Sequence, residues 1–241
     1  MKHIKRIALF SLSLALFAAA AFGQSIVIKP KKVTYKRPKP IDEYKKTFTI
    51  TYPIVSGLSP TLNKKIESSV SYEKVADVDI KEELSGGWLE EATYKVNYNK
   101  NGILDITLNV SGLGAYPDEY DRTVVVNLAT GSRVKPTDVF INLNGLAAKC
   151  RRVQQAEVRK SLAGAKKDDP DAADPSLFAE TKFTTENLKE FSVNDRGVTF
   201  IYDYGFPHVV KALEPTGRYF IPWTEMKPFI KSGGLLARFV R

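Results

Sequence analysis

The sequence predicts an α+β fold, antiparallel hairpins packed with one long and two shorter helices, and three observations carry that reading. Residues 88–98 and 103–110 flank Asn99-Lys100-Asn101-Gly102, where Asn-Gly supplies the positive φ angles of a tight reversal. Residues 191–193 and 198–202 flank a second such turn, Asn194-Asp195-Arg196-Gly197. Between the two hairpins the period changes. Over residues 143–163, Leu143, Leu146, Ala147, Cys150, Val153 and Val158 fall on one side and Lys149, Arg151, Arg152, Gln155 and Arg159 on the others, as in an amphipathic helix.

The remaining elements follow in chain order. Lys2, Lys5 and Arg6 precede an uncharged apolar run over residues 7–22, and Ala21 and Gly23 place small side chains ahead of Gln24. Residues 1–23 therefore read as a secretory signal peptide cleaved after Gly23. The run is shorter than the roughly 20 residues that span a bilayer, and no cysteine follows it for lipid attachment. Residues 24–41 interleave Lys29, Lys31, Lys32, Lys36, Arg37 and Lys39 with Pro30, Pro38 and Pro40, which predicts an extended, solvated linker. Its expected role is that of a spacer, with a weak contact to an anionic surface as the alternative.

Residues 42–241 are expected to form one α+β envelope domain whose halves, about 42–113 and 114–241, share a core. Phe48, Ile50, Tyr52 and Ile54 alternate as in a strand. Ser59-Pro60 caps a helix expected over residues 60–73. Val124, Val125 and Val126 lie in a strand over residues 120–128, antiparallel to the hairpin before it and turned at Gly131. Residues 218–221 read as a short strand, and Pro222 opens a last helix through Trp223, Met226, Phe229 and Ile230 that Gly233 stops.

Charge and ligand counts exclude several functions. The formal charge is +9, yet nine Lys or Arg residues and no acid precede Ile41; removing them from 36 leaves 27 basic residues against 27 acidic ones. A neutral body is not a nucleic-acid binder, which needs cations gathered on a folded face. Past the signal only His208 and Cys150 remain as imidazole and thiol, too few for a zinc site, and no cofactor is expected. Asp169, Asp171 and Glu180 only partly match a calcium loop, because Asp174 stands where that loop needs glycine. No serine occupies a nucleophile elbow beside His208. Asp118 and Glu119, adjacent on a strand, point to opposite faces rather than at one glycosidic bond.

Two segments remain as candidate contacts. Gly112, Gly114, Tyr116 and Pro117 lie in a stretch of bare backbone with a tyrosine at its edge, which serves either as a bend or as a ligand contact. Tyr202, Tyr204, Phe206 and His208 recur at every second position, as core or as a stacking platform for sugar or peptide.

Several motifs, taken in order, resemble a known family. They are Tyr52-Pro53-Ile54 with Asn63, Gly112-x-Gly114-Ala115-x-Pro117, Asn127-Leu128-x-Thr130-Gly131, and Asp138-Val139-Phe140 before a helix. Phe191 with Gly197-Val198-x-Phe200-x-Tyr202, and Ile221-Pro222-Trp223 with Met226, complete the set. Together they are similar to the extracytoplasmic domain of the lysozyme-sensing bacterial anti-sigma factor, a domain also found ahead of peptidoglycan deacetylase domains. The resemblance covers most of the chain after Asp42 and implies an α+β binding domain acting at the cell envelope. This sequence has Tyr116 where the family often has a histidine, so the ligand itself does not carry over.

The expected function is thus an exported, non-enzymatic binding module, periplasmic or secreted, that recognises an envelope protein or a cell-wall glycan. Tyr204, Phe206 and His208 join Gly112, Gly114, Tyr116 and Pro117 as its candidate contacts. The alternatives are an envelope hydrolase working through acidic residues or His208, and a structural envelope protein whose sheet edges pair with another chain.

Overall fold

A computed structural model describes residues 25–40, 44–168 and 174–241; the expected signal peptide and most of the acidic loop, residues 169–173, lie outside them. The chain divides into two compact units. One comprises Met1–Leu113, Glu119–Asp121 and Val125–Arg133, the other Gly114–Asp118, Arg122–Val124 and Val134–Arg241. Helices and largely antiparallel sheets make the chain α+β, as the sequence predicts.

The strands β1 (Val27–Lys36), β2 (Thr47–Ser56), β3 (Leu89–Lys100), β4 (Ile103–Leu113), β5 (Pro117–Asn127) and β6 (Ser132–Arg133) form one sheet in that order. The β3–β4 hairpin turns where Asn101 and Gly102 adopt φ of 57° and 72°, the left-handed pair its sequence requires. The β2–β3 pair is parallel, with Thr49 opposite Glu91 and Ile50 opposite Ala92. Parallel neighbours need a crossover, and helices α1 (Pro60–Ser69), α2 (Tyr72–Val75) and α3 (Ile80–Gly86) lie along it. Ser59 caps α1 by accepting from the Leu62 N–H at 3.4 Å.

The helix expected over residues 60–73 breaks after Ser69. The run Ser69-Val70-Ser71 combines two poor helix formers around a β-branched residue, and both Val70 and Tyr72 turn into the core. Tyr72 donates its hydroxyl to the Thr51 carbonyl at 3.0 Å and meets Tyr52 edge-on, which fixes the helices over β2. Helix α3, capped by Asp79, has no apolar stripe and gave no periodic signal.

The linker expected over residues 24–41 is a correction. Val27–Lys36 is strand β1, antiparallel to β2 along its whole length, with Val33 opposite Ile50 and Tyr35 opposite Phe48. Tyr35 stacks on Phe48 at 5.0 Å and its hydroxyl meets that of Tyr52 at 2.8 Å. A strand at a sheet edge tolerates proline and wants lysine, so its composition imitates a solvated linker. Arg37, just beyond β1, is only 2% exposed. Its guanidinium donates to the carbonyls of Lys45, Glu83, Gly87 and Leu89, pairs with the Glu83 carboxylate at 3.4 Å, and lies over the Phe48 ring.

In the second unit, β7 (Phe191–Asn194), β8 (Gly197–Ile201) and β9 (Arg218–Pro222) form an antiparallel sheet. Helix α4 (Pro136–Val139) precedes the long α5 (Leu143–Asp168), which runs past the residue 163 that the sequence suggests. Leu146, Ala147, Cys150 and Gln154 are buried on α5. Gln154 accepts from the Phe183 N–H at 2.7 Å, and Phe183 in turn meets Phe200 and Tyr219. Burial pushes the Cys150 thiol up to about 12, so the cysteine fills space as a small hydrophobe. The expected last helix is short: α6 (Trp223–Met226) tightens into a 3-10 turn over Lys227–Phe229, where Pro228 cannot donate back into the helix. Gly233, at φ 72°, follows it.

Candidate functional site

The two candidate segments meet within the second unit. Tyr116 is 58% exposed and its ring stacks on that of His208, with centroids 4.6 Å apart and planes 10° from parallel. That spacing is the close end of the aromatic range. The contact is one rung of three. Asp118 and Arg122, an even number of residues apart on β5, point to one side of the strand, and Tyr116 stands in the bend just before it. Asp118 accepts from Lys211 Nζ at 2.5 Å, and Asp203 Oδ2 lies 3.4 Å from Arg122 Nη1. Residues 203–211 are thus held along the start of β5 by a ring stack and two ion pairs.

Both ion pairs are solvent-facing on at least one partner, and pairs of that kind contribute about 0–1 kcal/mol each. Asp118, through its hydrogen bond, raises the pKa of Lys211. Beneath the Arg122–Asp203 rung lies Glu190, whose carboxylate accepts from the Thr123 N–H at 2.9 Å. Burial pushes the Glu190 carboxyl above the usual range, opposed by that hydrogen bond and by Arg122. Val209, 85% exposed, stands beside His208 on the same 3-10 turn, His208–Leu213.

The other candidates take structural places. Gly112 belongs to β4 in the first unit, where a methyl group would overlap the Trp88 carbonyl and lie 2.5 Å from its ring. Gly114 donates its N–H to the Tyr116 carbonyl at 3.1 Å and has open space around it. Pro117 opens β5 and is exposed. The alternation through Tyr202, Tyr204, Phe206 and His208 is not a strand, because β8 ends at Ile201 and the chain turns at Gly205 with φ 64°. Tyr204 shares a hydrogen bond with the Tyr219 hydroxyl at 2.9 Å, and burial pushes its own phenol up to about 12. Phe206 is buried against Phe178 at 5.2 Å. Tyr204 and Phe206 therefore anchor the segment from below, leaving His208 on its outer side.

Sequence reasoning missed Arg122 and Lys211 and did not place Asp203 in this surface. Their one signal is that acids and bases at even spacing from Tyr116 find opposite charges in the 203–211 stretch. Among the described residues, no group of three or more His, Cys, Asp or Glu side chains could hold a metal ion. No described helix is long and apolar enough to cross a membrane. What the arrangement offers is a flat aromatic pair flanked by charges of both signs.

No family model matches the chain, and no curated protein matches it. Several solved chains match, among them two DUF3298 family proteins. A DUF3298 family protein from Pseudomonas aeruginosa matches at 15% identity over 86% of this chain and 95% of its own, with a TM-score of 0.55. A member of the same family from Bacteroides fragilis matches at 15% identity over 88% and 97%, with a TM-score of 0.48. At that identity the Pseudomonas protein shares the fold alone: in architecture the chain is similar to a DUF3298 family protein.

Proposed function

We propose that the chain is an exported binding module of the bacterial cell envelope, without catalytic activity, that recognises a protein or a cell-wall glycan. Its contact surface is the outer side of the Tyr116–His208 stack with the Asp118–Lys211 pair. The observation that supports this reading most is that stack, because two segments 92 positions apart in the sequence converge on one exposed aromatic surface. Exposed aromatic side chains beside charged groups are the usual anchors of recognition. The resemblance of the sequence motifs to the envelope domain of the anti-sigma factor supports the same class.

Capture from the organism's own envelope fraction tests the proposal. Gly114→Trp adds a large ring next to Tyr116 at a position where, outside its chain neighbours, a new Cβ meets nothing nearer than the Tyr116 carbonyl oxygen at 4.0 Å. That variant, and Tyr116→Ala combined with His208→Ala, are each expected to lower capture by about tenfold or more with unchanged thermal unfolding. Undiminished capture by both would remove this surface from the site. The hydrolase alternative has Asp118 engaged by Lys211; turnover of muropeptides that Asp118→Asn or His208→Ala abolishes would replace the binding reading with it.

A further inference from the structure

We infer that the β1 edge is a second docking surface and that its partner is an anionic lipid bilayer. Lys29, Lys31, Lys32 and Lys36 are all exposed on this strand, and Lys39 follows it, also exposed. At about 3.3 Å per residue, the four strand lysines are fixed along roughly 23 Å of sheet edge, Lys29 and Lys31 on one face and Lys32 and Lys36 on the other. The facing strand β2 contributes no acidic side chain, and among the described residues none of the four lysines forms an ion pair. The sheet order puts β1 outermost.

Lysine and proline on an edge strand also discourage edge-to-edge aggregation, but a single sign of charge is not needed for that. The apolar neighbours decide between anionic partners. Val27 and Ile54 are exposed large hydrophobics, and the register that sets Lys29 opposite Ile54 puts Val27, Lys29, Lys31 and Ile54 on one face. A hydrophilic wall polymer has no use for the two aliphatic side chains. A bilayer interface takes both parts, cations at the phosphates and aliphatic groups at the acyl boundary. Such a contact holds the first unit against the membrane. It relies on export, as the proposed function does, but not on the Tyr116–His208 surface.

Sedimentation with vesicles tests the inference, using protein recovered from the envelope fraction whose intact mass reports signal cleavage separately. Binding is expected to phosphatidylcholine vesicles containing about one-third phosphatidylglycerol, to be absent with phosphatidylcholine alone, and to be lost at high salt. Each lysine is worth about fivefold in partitioning. Lys29→Gln, Lys31→Gln, Lys32→Gln and Lys36→Gln together should thus lower binding by a hundredfold or more, whereas Lys160→Gln with Lys167→Gln should leave it unchanged. Val27→Ser with Ile54→Ser should cost a further severalfold. Equal binding to neutral vesicles, or undiminished binding by the fourfold variant, overturns the inference. So does binding to a soluble glycerol-phosphate polymer with none to vesicles.

Discussion

Replacing Arg37 with methionine is expected to lower the free energy of unfolding by about 3–5 kcal/mol, the cost of removing one partner from a buried ion pair. The side chain of Arg37 is 1% exposed and that of its partner Glu83 is 11% exposed. Its guanidinium satisfies carbonyls on both sides of the sheet edge: Lys45 at 2.6 Å, Glu83 at 2.9 Å, and Gly87 and Leu89 each at 2.8 Å. Methionine would fill the volume and take the guanidinium donors away from those oxygens, and at the buried Glu83 and Leu89 carbonyls that loss costs free energy. Glu83 would keep only the Leu89 N–H at 2.8 Å among these contacts. Urea unfolding measures the loss. Arg37→Lys should recover part of it, because an ammonium restores the charge but not the planar fork. A midpoint within experimental error of the wild type would mean that Arg37 does not lock β1 to α3 and β3.

The second large effect separates two glycines that sit two positions apart. Gly112→Ala is expected to destabilise by about 2–3 kcal/mol, because the new methyl has to displace the Trp88 backbone as well as its ring. The Leu113 N–H donates to the same Trp88 carbonyl at 3.0 Å, so the clash cannot relax without breaking that bond. Gly114→Ala meets only the Tyr116 carbonyl oxygen at 4.0 Å and is expected to be neutral within about 0.5 kcal/mol. Thermal unfolding of the two variants side by side checks the contrast. Equal stability would show that Gly112 is not held against Trp88, and it would then rejoin Gly114 as a surface residue.

What the sequence made legible was local. Asn101-Gly102 forces its turn by the φ angles its residues accept, and the β3–β4 hairpin follows from that pair and its flanking alternation. Helix α5 is legible because Leu146, Ala147 and Cys150 repeat at helical spacing on the buried side. Strand β1 was not, because an edge strand with both faces partly solvated shows no apolar period, and Lys and Pro then look like linker chemistry. The parallel β2–β3 pair was hidden as well; only a crossover through three short helices makes it, and no local signal encodes such a return.

The candidate site divided along the same line. Tyr116 and His208 could be picked out singly as an aromatic in a bare turn and as a lone imidazole, but nothing local joins them. Asp118 and Lys211 pair across 93 positions, and Arg122 and Asp203 across 81. Gly112 and Phe206 carried misleading signals, since a glycine that admits a tryptophan and a phenylalanine that anchors a turn resemble ligand contacts in sequence.

The most direct test of a recognition surface built on Tyr116 and His208 is the proton NMR spectrum of the His208 ring. Removal of residues 1–23 leaves His208 as the one histidine, so its ring signals need no further assignment. With the phenol ring 4.6 Å away and nearly parallel, both carbon-bound ring protons should lie upfield of a free imidazole. Tyr116→Ala should return them to the free position, and envelope ligand added to the unaltered protein should shift them. Ring signals at the same position with and without Tyr116, and unmoved by a ligand that the protein captures, would contradict it.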